Sequence, residues 1–551
     1  MEKTWWSVNF SDPRPGTATA KKVEAAPGPG DVPPTEQVNG GEHDTTSLDA
    51  VRDLRHFGYK VPGMSTWLVF VVLVVGAVII PNIALVVLQL IGLYLMLRIA
   101  LVVIFYPVSQ IRSRRWEARA RLAAKNGTSL TGATSSVHHV VLIPTYKEPI
   151  AILVRTLRAL AVQENARQQL TIVLAMEESE KNGAARARRL QAQFEDQFAH
   201  FLVTFHPAGL PNEVAGKGSN ENWAARRAKE ELVDRLGMPI DNMTLTSCDA
   251  DSVFNPYYFA TLARLFVADP KRHRRFWQSP MRYDNNTWQL TAPLRMLAFF
   301  MNATLGSELA DPLTIDLPLS TYSLSFKLAD EAGYWDGAVI AEDWHMFLRC
   351  LFATGGQVSL RPIFLPTSAD SAIGDTPRQS VMNTYRQRLR HAWGAQDIGY
   401  ILQQWRRSPQ TPFVIKLAYL SKVVHDHVIL TTSGLVVGSV SLLLLALHGA
   451  SNIAQPGLLH GLVSVATVGN IAVGAGMVAV VLSEHLLCRR RSPGWRPASL
   501  LSDIFMWPFL PVITIGLGGM PVLHAQAKLL FASPLIYVAT PKKPTRPKTD
   551  E

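Results

Sequence analysis

The chain has 551 residues, 48% of them hydrophobic, with 54 Lys and Arg against 43 Asp and Glu. That length accommodates a catalytic domain of ordinary size beside a separate membrane region. A net charge of +11 without any recognition module speaks against a nucleic-acid partner and for basic flanks on apolar segments, while Cys248, Cys350 and Cys488 are scattered and form no CxxC pair, so neither a disulfide framework nor a zinc knuckle is indicated.

Residues 1–60 are rich in Pro, Gly, Thr and charge and hold no apolar run. They are expected to form a disordered cytosolic N-terminus rather than a cleavable signal peptide. The apolar stretch from Trp67 to Val108 is about twice the ~20 residues that one helix needs to cross a bilayer. Pro81-Asn82 interrupts it, which predicts a transmembrane helical hairpin over 65–110. Arg112, Arg114 and Arg115 follow as a cytosolic flank, so the next domain is expected on the same side as the N-terminus.

Over 136–370 the pattern changes to short apolar runs alternating with charged helical stretches. His138–Pro144, Leu170–Met176, Phe201–Phe205 and Met243–Ser247 read as buried strands, with helices over Ala184–His200 and Asn220–Leu236 between them. Such alternation predicts an α/β domain with a mostly parallel, Rossmann-like sheet, whose ligands sit at the carboxyl ends of the strands. Residues 376–425 are basic and amphipathic, suited to the headgroup region. Apolar segments resume at Val428–Leu447 and Leu458–Leu487, and Ile504–Leu523 could span, re-enter or lie at the interface, so 428–530 is read as a transmembrane or re-entrant region. Residues 531–551 form a basic cytosolic tail.

The strand ends carry the polar residues that matter. Pro144-Thr145-Tyr146-Lys147-Glu148-Pro149 follows the first strand, and Glu177-Glu178 the second. After Met243–Ser247 comes Asp249-Ala250-Asp251, a pair of hard oxygen ligands suited to a divalent ion bridging the phosphates of a nucleotide-sugar. Glu342-Asp343 opens a helical run; a carboxylate there caps a helix, and it can also take a proton from an acceptor hydroxyl. Gln387-Arg388-Leu389-Arg390-His391, with Trp393 beyond, is a basic cluster able to meet a departing diphosphate, with an aromatic face for a sugar. His425-Asp426-His427 spaces its rings onto different helix faces, which favours boundary residues over a metal pair.

Taken in order, PTYKEP, the acidic strand end, KGSNEN, DAD, AED, QRLRH and YVATPK resemble the processive, membrane-integrated family-2 glycosyltransferases, the group of cellulose, chitin and hyaluronan synthases. The resemblance spans roughly Val137 to Lys542. It implies a GT-A catalytic domain inserted between N-terminal and C-terminal transmembrane helices. It further implies a multi-pass membrane protein with a cytosolic catalytic domain, an inverting mechanism, a nucleotide-sugar donor that is usually a UDP-sugar, and Mg2+ or Mn2+. By the same resemblance Thr145, Glu148 and Glu177 sit near the nucleobase. Lys217 and Asn222 lie near the phosphates, Asp249 and Asp251 at the diphosphate and metal, and Asp343 is the base. Gln387, Arg390, His391 and Trp393 fall on the acceptor and diphosphate side, and Tyr537, Thr540 and Lys542 in a loop that covers the donor. Gln278-Ser279-Pro280 is similar to the element before the acceptor side. Glu177 stands in place of Asp, Ala341 in place of Thr, and His391 where an acceptor-stacking Trp is expected. The implied partners are the donor, a polysaccharide or lipid-linked acceptor and membrane lipids. The alternatives are addition of a single sugar to a lipid, or a transport or scaffold protein without catalysis.

Overall fold

The computed structural model describes residues 57–128, 130, 132–452, 457–491, 496–533 and 535. The expectations for the N-terminus before residue 57 and for Tyr537, Thr540 and Lys542 lie outside the described residues.

Helix α1 (Phe57–Ile79) and helix α2 (Pro81–Lys125) are separated at Ile80, because Pro81 opens the second helix where its missing N–H costs nothing. Leu73 and Ala77 of α1 pack on Ala84 and Leu88 of α2, which closes the hairpin at its turn. Helix α2 runs on past Val108 without a break, and its basic end leads into the α/β domain.

The sheet of that domain has seven strands in the order β3 (His200–His206), β2 (Leu170–Glu177), β1 (His138–Thr145), β4 (Met243–Ser247), β7 (Tyr322–Ser325), β5 (Arg275–Gln278) and β8 (Ser359–Pro362), while β6 (Met281–Arg282) pairs apart with β9 (Thr367–Ser368). Strands β1, β2, β3 and β4 are mutually parallel where they pair. Strand β7 runs antiparallel between β4 and β5, and β8 is parallel to β5. Alternate side chains of β1 enter opposite cores, as a sheet covered on both faces requires. Val140 and Leu142 meet Ala224, Ala225 and Ala228 of helix α3 (Lys217–Lys229) and Phe347 of helix α4 (Glu342–Ala353). Val141 and Ile143 meet Leu153, Leu157, Phe194 and Phe259 on the other side. Polar strand residues are bonded across the sheet: His138 Nε2 lies 2.7 Å from Thr171 Oγ1, and His139 Nδ1 lies 2.7 Å from Thr244 Oγ1. This is the mostly parallel α/β domain expected from the alternation.

Among the described residues four helices are long and apolar enough to cross a membrane: Phe57–Ile79, Pro81–Lys125, Phe413–Leu444 and Leu510–Leu530. The third starts at Phe413 and continues through a π-helical turn at His425–Leu430 into Thr431–Asn452. Partners neutralise the polar triplet within it: His425 bonds Tyr94 and Asp426, and Lys422 pairs with Asp426 at 2.9 Å. The preceding helix α5 (Pro377–Ala392) lies against protein, its Leu389 and Ala392 packing on Val522, Ala525 and Leu529.

Candidate functional site

The carboxyl ends of β1, β2 and β4, the N-termini of α3 and α4, and one face of α5 enclose a cavity of about 760 Å³. Its first wall is the turn after β1. Glu148 Oε2 accepts from Thr145 Oγ1 at 2.8 Å and from the Tyr146 amide, while Lys147 holds a left-handed φ of 64° with its N–H donated to Glu180. Glu180 is in turn paired with Arg186. A non-glycine residue at positive φ persists only where its surroundings over-determine it, and here a carboxylate network does so.

The end of β2 presents Glu177, whose Oε2 lies 3.0 Å from His206 Nδ1; His206 Nε2 meets Glu213 at 2.7 Å. Burial opposes the charge on His206, but the two glutamates outweigh it and raise its pKa to about 9. Glu177 is thereby fixed by an imidazolium at the cavity edge.

Lys217, at the first turn of α3, is the hub. Its Nζ lies 3.0 Å from Asp249 Oδ1, 3.1 Å from Glu342 Oε1 and 3.2 Å from Asp343 Oδ1, with Glu221 at 4.0 Å and the Ser320 carbonyl at 2.9 Å. Gly218 permits this approach: a Cβ there would stand 3.0 Å from the Glu342 Cβ. Burial works against the ammonium, yet Asp249, Asp343, Glu221 and Glu342 hold its pKa well above the ordinary lysine value. Burial foremost pushes the Asp343 carboxyl up to about 7; Glu342 and Asp249 add to the rise and Lys217 opposes it. Ser320, itself at φ 62°, donates its amide to Asp343 Oδ2 at 2.7 Å and its hydroxyl to Asp249 Oδ2. Gln278 supports that loop by accepting from Leu319 N at 2.8 Å.

Asp251 is 2% exposed and accepts from the Asp370 amide at 2.9 Å, while Asn285 Nδ2 donates to the Asp251 carbonyl at 3.1 Å. From α5, Gln387, Arg390 and His391 line the cavity. Burial, with Arg390 and Arg388 adding, lowers the His391 pKa to about 3 and keeps its ring neutral.

Two expected residues stand elsewhere. Asn222 does not line the cavity; it accepts from Arg226 Nε at 3.1 Å, and Asn220 takes the lining position, bonded to the Ala175 carbonyl. At about 100° per residue, positions 217, 220 and 221 share a helix face that 222 leaves. Trp393 is 3% exposed and sealed among Leu389, Val522, Ala525 and Leu529, also away from the cavity. Ser320, Glu221, Glu342, Trp344, Asp370 and His427 belong to the site or its border without having been singled out for it in the sequence. Glu342 was the one signalled, by its neighbour Asp343.

Seven carboxylates line the cavity (Glu148, Glu177, Asp249, Asp251, Glu342, Asp343 and Asp370) against three Lys or Arg (Lys147, Lys217 and Arg390). Such a lining repels a diphosphate unless a cation accompanies it. Among the described residues no group of three or more His, Cys, Asp or Glu converges to hold a metal ion. Two hard carboxylates at the cavity wall nonetheless fit an ion such as Mg2+, which usually takes one or two from the protein and completes its shell with phosphate and water.

Residues 245–471 match the family model described as glycosyl transferase family group 2. Similar solved structures include a mannosyltransferase, PcManGT from Pyrobaculum calidifontis, in complex with GDP-Man and Mn2+. It is 15% identical with a TM-score of 0.43, over 81% of this chain and 100% of that one. Residues 1–349 of S. aureus TarS in complex with UDP-GlcNAc are 10% identical with a TM-score of 0.33, over 72% of this chain and 92% of that one. No curated protein matches the chain.

Proposed function

We propose, from the match of residues 245–471 to the family model described as glycosyl transferase family group 2, that the chain transfers a sugar from a nucleotide-sugar to a hydroxyl of a growing polysaccharide at the membrane, by a single inverting displacement. The observation that carries the reading is the convergence of Asp249, Asp251, Asp343 and Lys217 on one cavity. In the proposed step the acceptor oxygen attacks the anomeric carbon and its proton passes to the Asp343 carboxylate. The bond from that carbon to the diphosphate oxygen breaks, and its electron pair leaves on the nucleoside diphosphate.

A base titrating near neutrality is suited to that proton transfer, and Asp343 has a pKa of about 7. Thr145, Glu148 and Glu177 would face the nucleobase, and Lys217 and Arg390 the phosphates. Gln387 and His391 would stand on the acceptor side. Asp249 and Asp251 would hold Mg2+ or Mn2+, which when bound supplies charge compensation for the departing diphosphate. A UDP-sugar is the proposed donor, and the helical hairpin supports a cytosolic site under a multi-pass membrane region.

The test is a screen of radiolabelled UDP-glucose, UDP-N-acetylglucosamine and GDP-mannose with membranes containing the protein, with and without EDTA. Divalent-dependent incorporation into a product of many sugars is expected. A product one sugar longer than a lipid acceptor would replace polymerisation by single addition, and no consumption of any donor would refute glycosyl transfer.

A further inference from the structure

The acceptor side lacks the aromatic platform that the sequence pointed to, since Trp393 is packed away behind α5. Another indole is at hand. Trp344 follows Asp343 on the first turn of α4, is only partly buried, and lines the same cavity. His345, one position on, is pinned inside the protein by Asp397 at 2.6 Å. That anchor fixes the helix rotation, so Asp343 and Trp344 occupy adjacent sectors of one turn.

The Trp344 ring is braced. His427 meets it edge to face, with centroids 5.0 Å apart and planes at 71°. Gly394 leaves room for that imidazole, since a Cβ there would stand 3.2 Å from it. Trp344 also borders a second, smaller chamber of about 70 Å³, whose walls include Thr314, Asp316 and Lys422. The indole therefore reaches from the carboxylate proposed as base to a set of polar groups able to bond hydroxyls. An apolar ring flanked by such groups is the chemistry that holds a pyranose. The other cavity aromatics are engaged: Tyr146 lies under Lys147 at 4.4 Å, and Tyr283 packs on Leu290, Leu294 and Ala298.

We propose that Trp344, braced by His427, is the platform on which the acceptor sugar lies during transfer. This rests on the glycosyltransferase reading and gives it an acceptor subsite. It makes Trp344 a binding residue and His427 a positioning residue.

The experiment uses the full-length protein in detergent, the donor that the wild type consumes, and octyl β-D-glucoside or octyl β-D-mannoside as acceptor probes. For Trp344→Ala the acceptor KM should rise about tenfold, and the ratio of donor hydrolysed to sugar transferred should rise with it. Trp344→Phe should recover most of the loss, and His427→Ala should move acceptor KM by a few-fold in the same direction. An acceptor KM and a hydrolysis ratio unchanged in Trp344→Ala would overturn the platform. So would an equal loss of hydrolysis and transfer that phenylalanine does not restore, because that pattern belongs to a structural role. A wild type that turns over no donor would instead remove glycosyl transfer itself, and the platform with it.

Discussion

Two buried clusters of charge show what different balances of the same residue types produce. In the cavity one ammonium, Lys217, stands within 3.0–3.2 Å of three carboxylates. Burial foremost, with Glu342 and Asp249 adding and Lys217 opposing, leaves Asp343 with a pKa displaced toward neutrality. Where the domain meets the C-terminal helices each buried charge has several partners. Arg282 grips Glu484 through two nitrogens at 2.8 and 3.1 Å and bonds Asp284 at 2.9 Å. Arg295 and His485 both engage Asp503, and Asn302 donates to Glu484 at 3.0 Å. A buried charge with full partners stabilises a junction, whereas one with too few partners is poised to change protonation or receive a ligand.

The sharpest way to break this contrast is to remove one acid from each cluster. Asp343→Asn should lower transfer by about 10²- to 10⁴-fold, the usual range for a general base. Its thermal midpoint in detergent should hold or rise, because a like charge has left a crowded site. Wild-type turnover from that variant would strip Asp343 of its role. Glu484→Ala should do the reverse and cost about 1–3 kcal/mol of stability, because Arg282 keeps Asp284 but loses its two bonds to Glu484, and Asn302 loses its acceptor. An unshifted unfolding midpoint would show that the junction is not held by these pairs. A smaller effect concerns pH alone. With Asp343 titrating at about 7 and active only when deprotonated, kcat/KM should fall about tenfold per unit below that pH, and a flat profile from pH 5.5 to 7.5 would contradict the assignment.

The contrast also explains what the sequence could reveal. Strands β1, β2 and β4 were legible almost to the residue because continuous apolar runs bounded by polar turns leave little else to form. Asp249 and Asp251 could be singled out because they come just after β4, and Asp343 because it lies in the first turn of α4. The junction was not, since Arg282 and Glu484 are 202 positions apart and each reads alone as an ordinary charge. Ser320, which bonds both Asp249 and Asp343, had no signal beyond a serine in a loop. Trp393 and Asn222 stand off the cavity because a motif fixes spacing, while helix rotation and the packing of Met520–Leu530 on α5 decide which side chain faces it. The start of the Phe413 helix was hidden by the His425-Asp426-His427 triplet, whose polarity is neutralised by residues distant in sequence such as Tyr94.

The gentlest test uses a third cluster, beneath the helix turn that carries Asp343, where charges are closely paired. His345 lies 2.6 Å from Asp397 and 3.6 Å from Asp336, and Asp336 also meets Arg349 at 3.2 Å. Burial opposes the imidazolium, but Asp397 and Asp336 prevail and raise its pKa from 6.5 to about 9. A histidine bound more tightly to its proton in the folded state adds stability that is complete below about pH 6.5 and is lost as pH climbs through 9. The midpoint should therefore drop by on the order of a few degrees over that interval. His345→Gln should lessen the slope to the part that His206 contributes, keeping a hydrogen bond to Asp397 but nothing that titrates there. Activity and stability would then respond to pH in opposite directions, turnover rising through about 7 as Asp343 loses its proton and the fold weakening toward 9 as His345 loses its own. An equally steep decline in the glutamine variant would move the source of the slope away from this cluster.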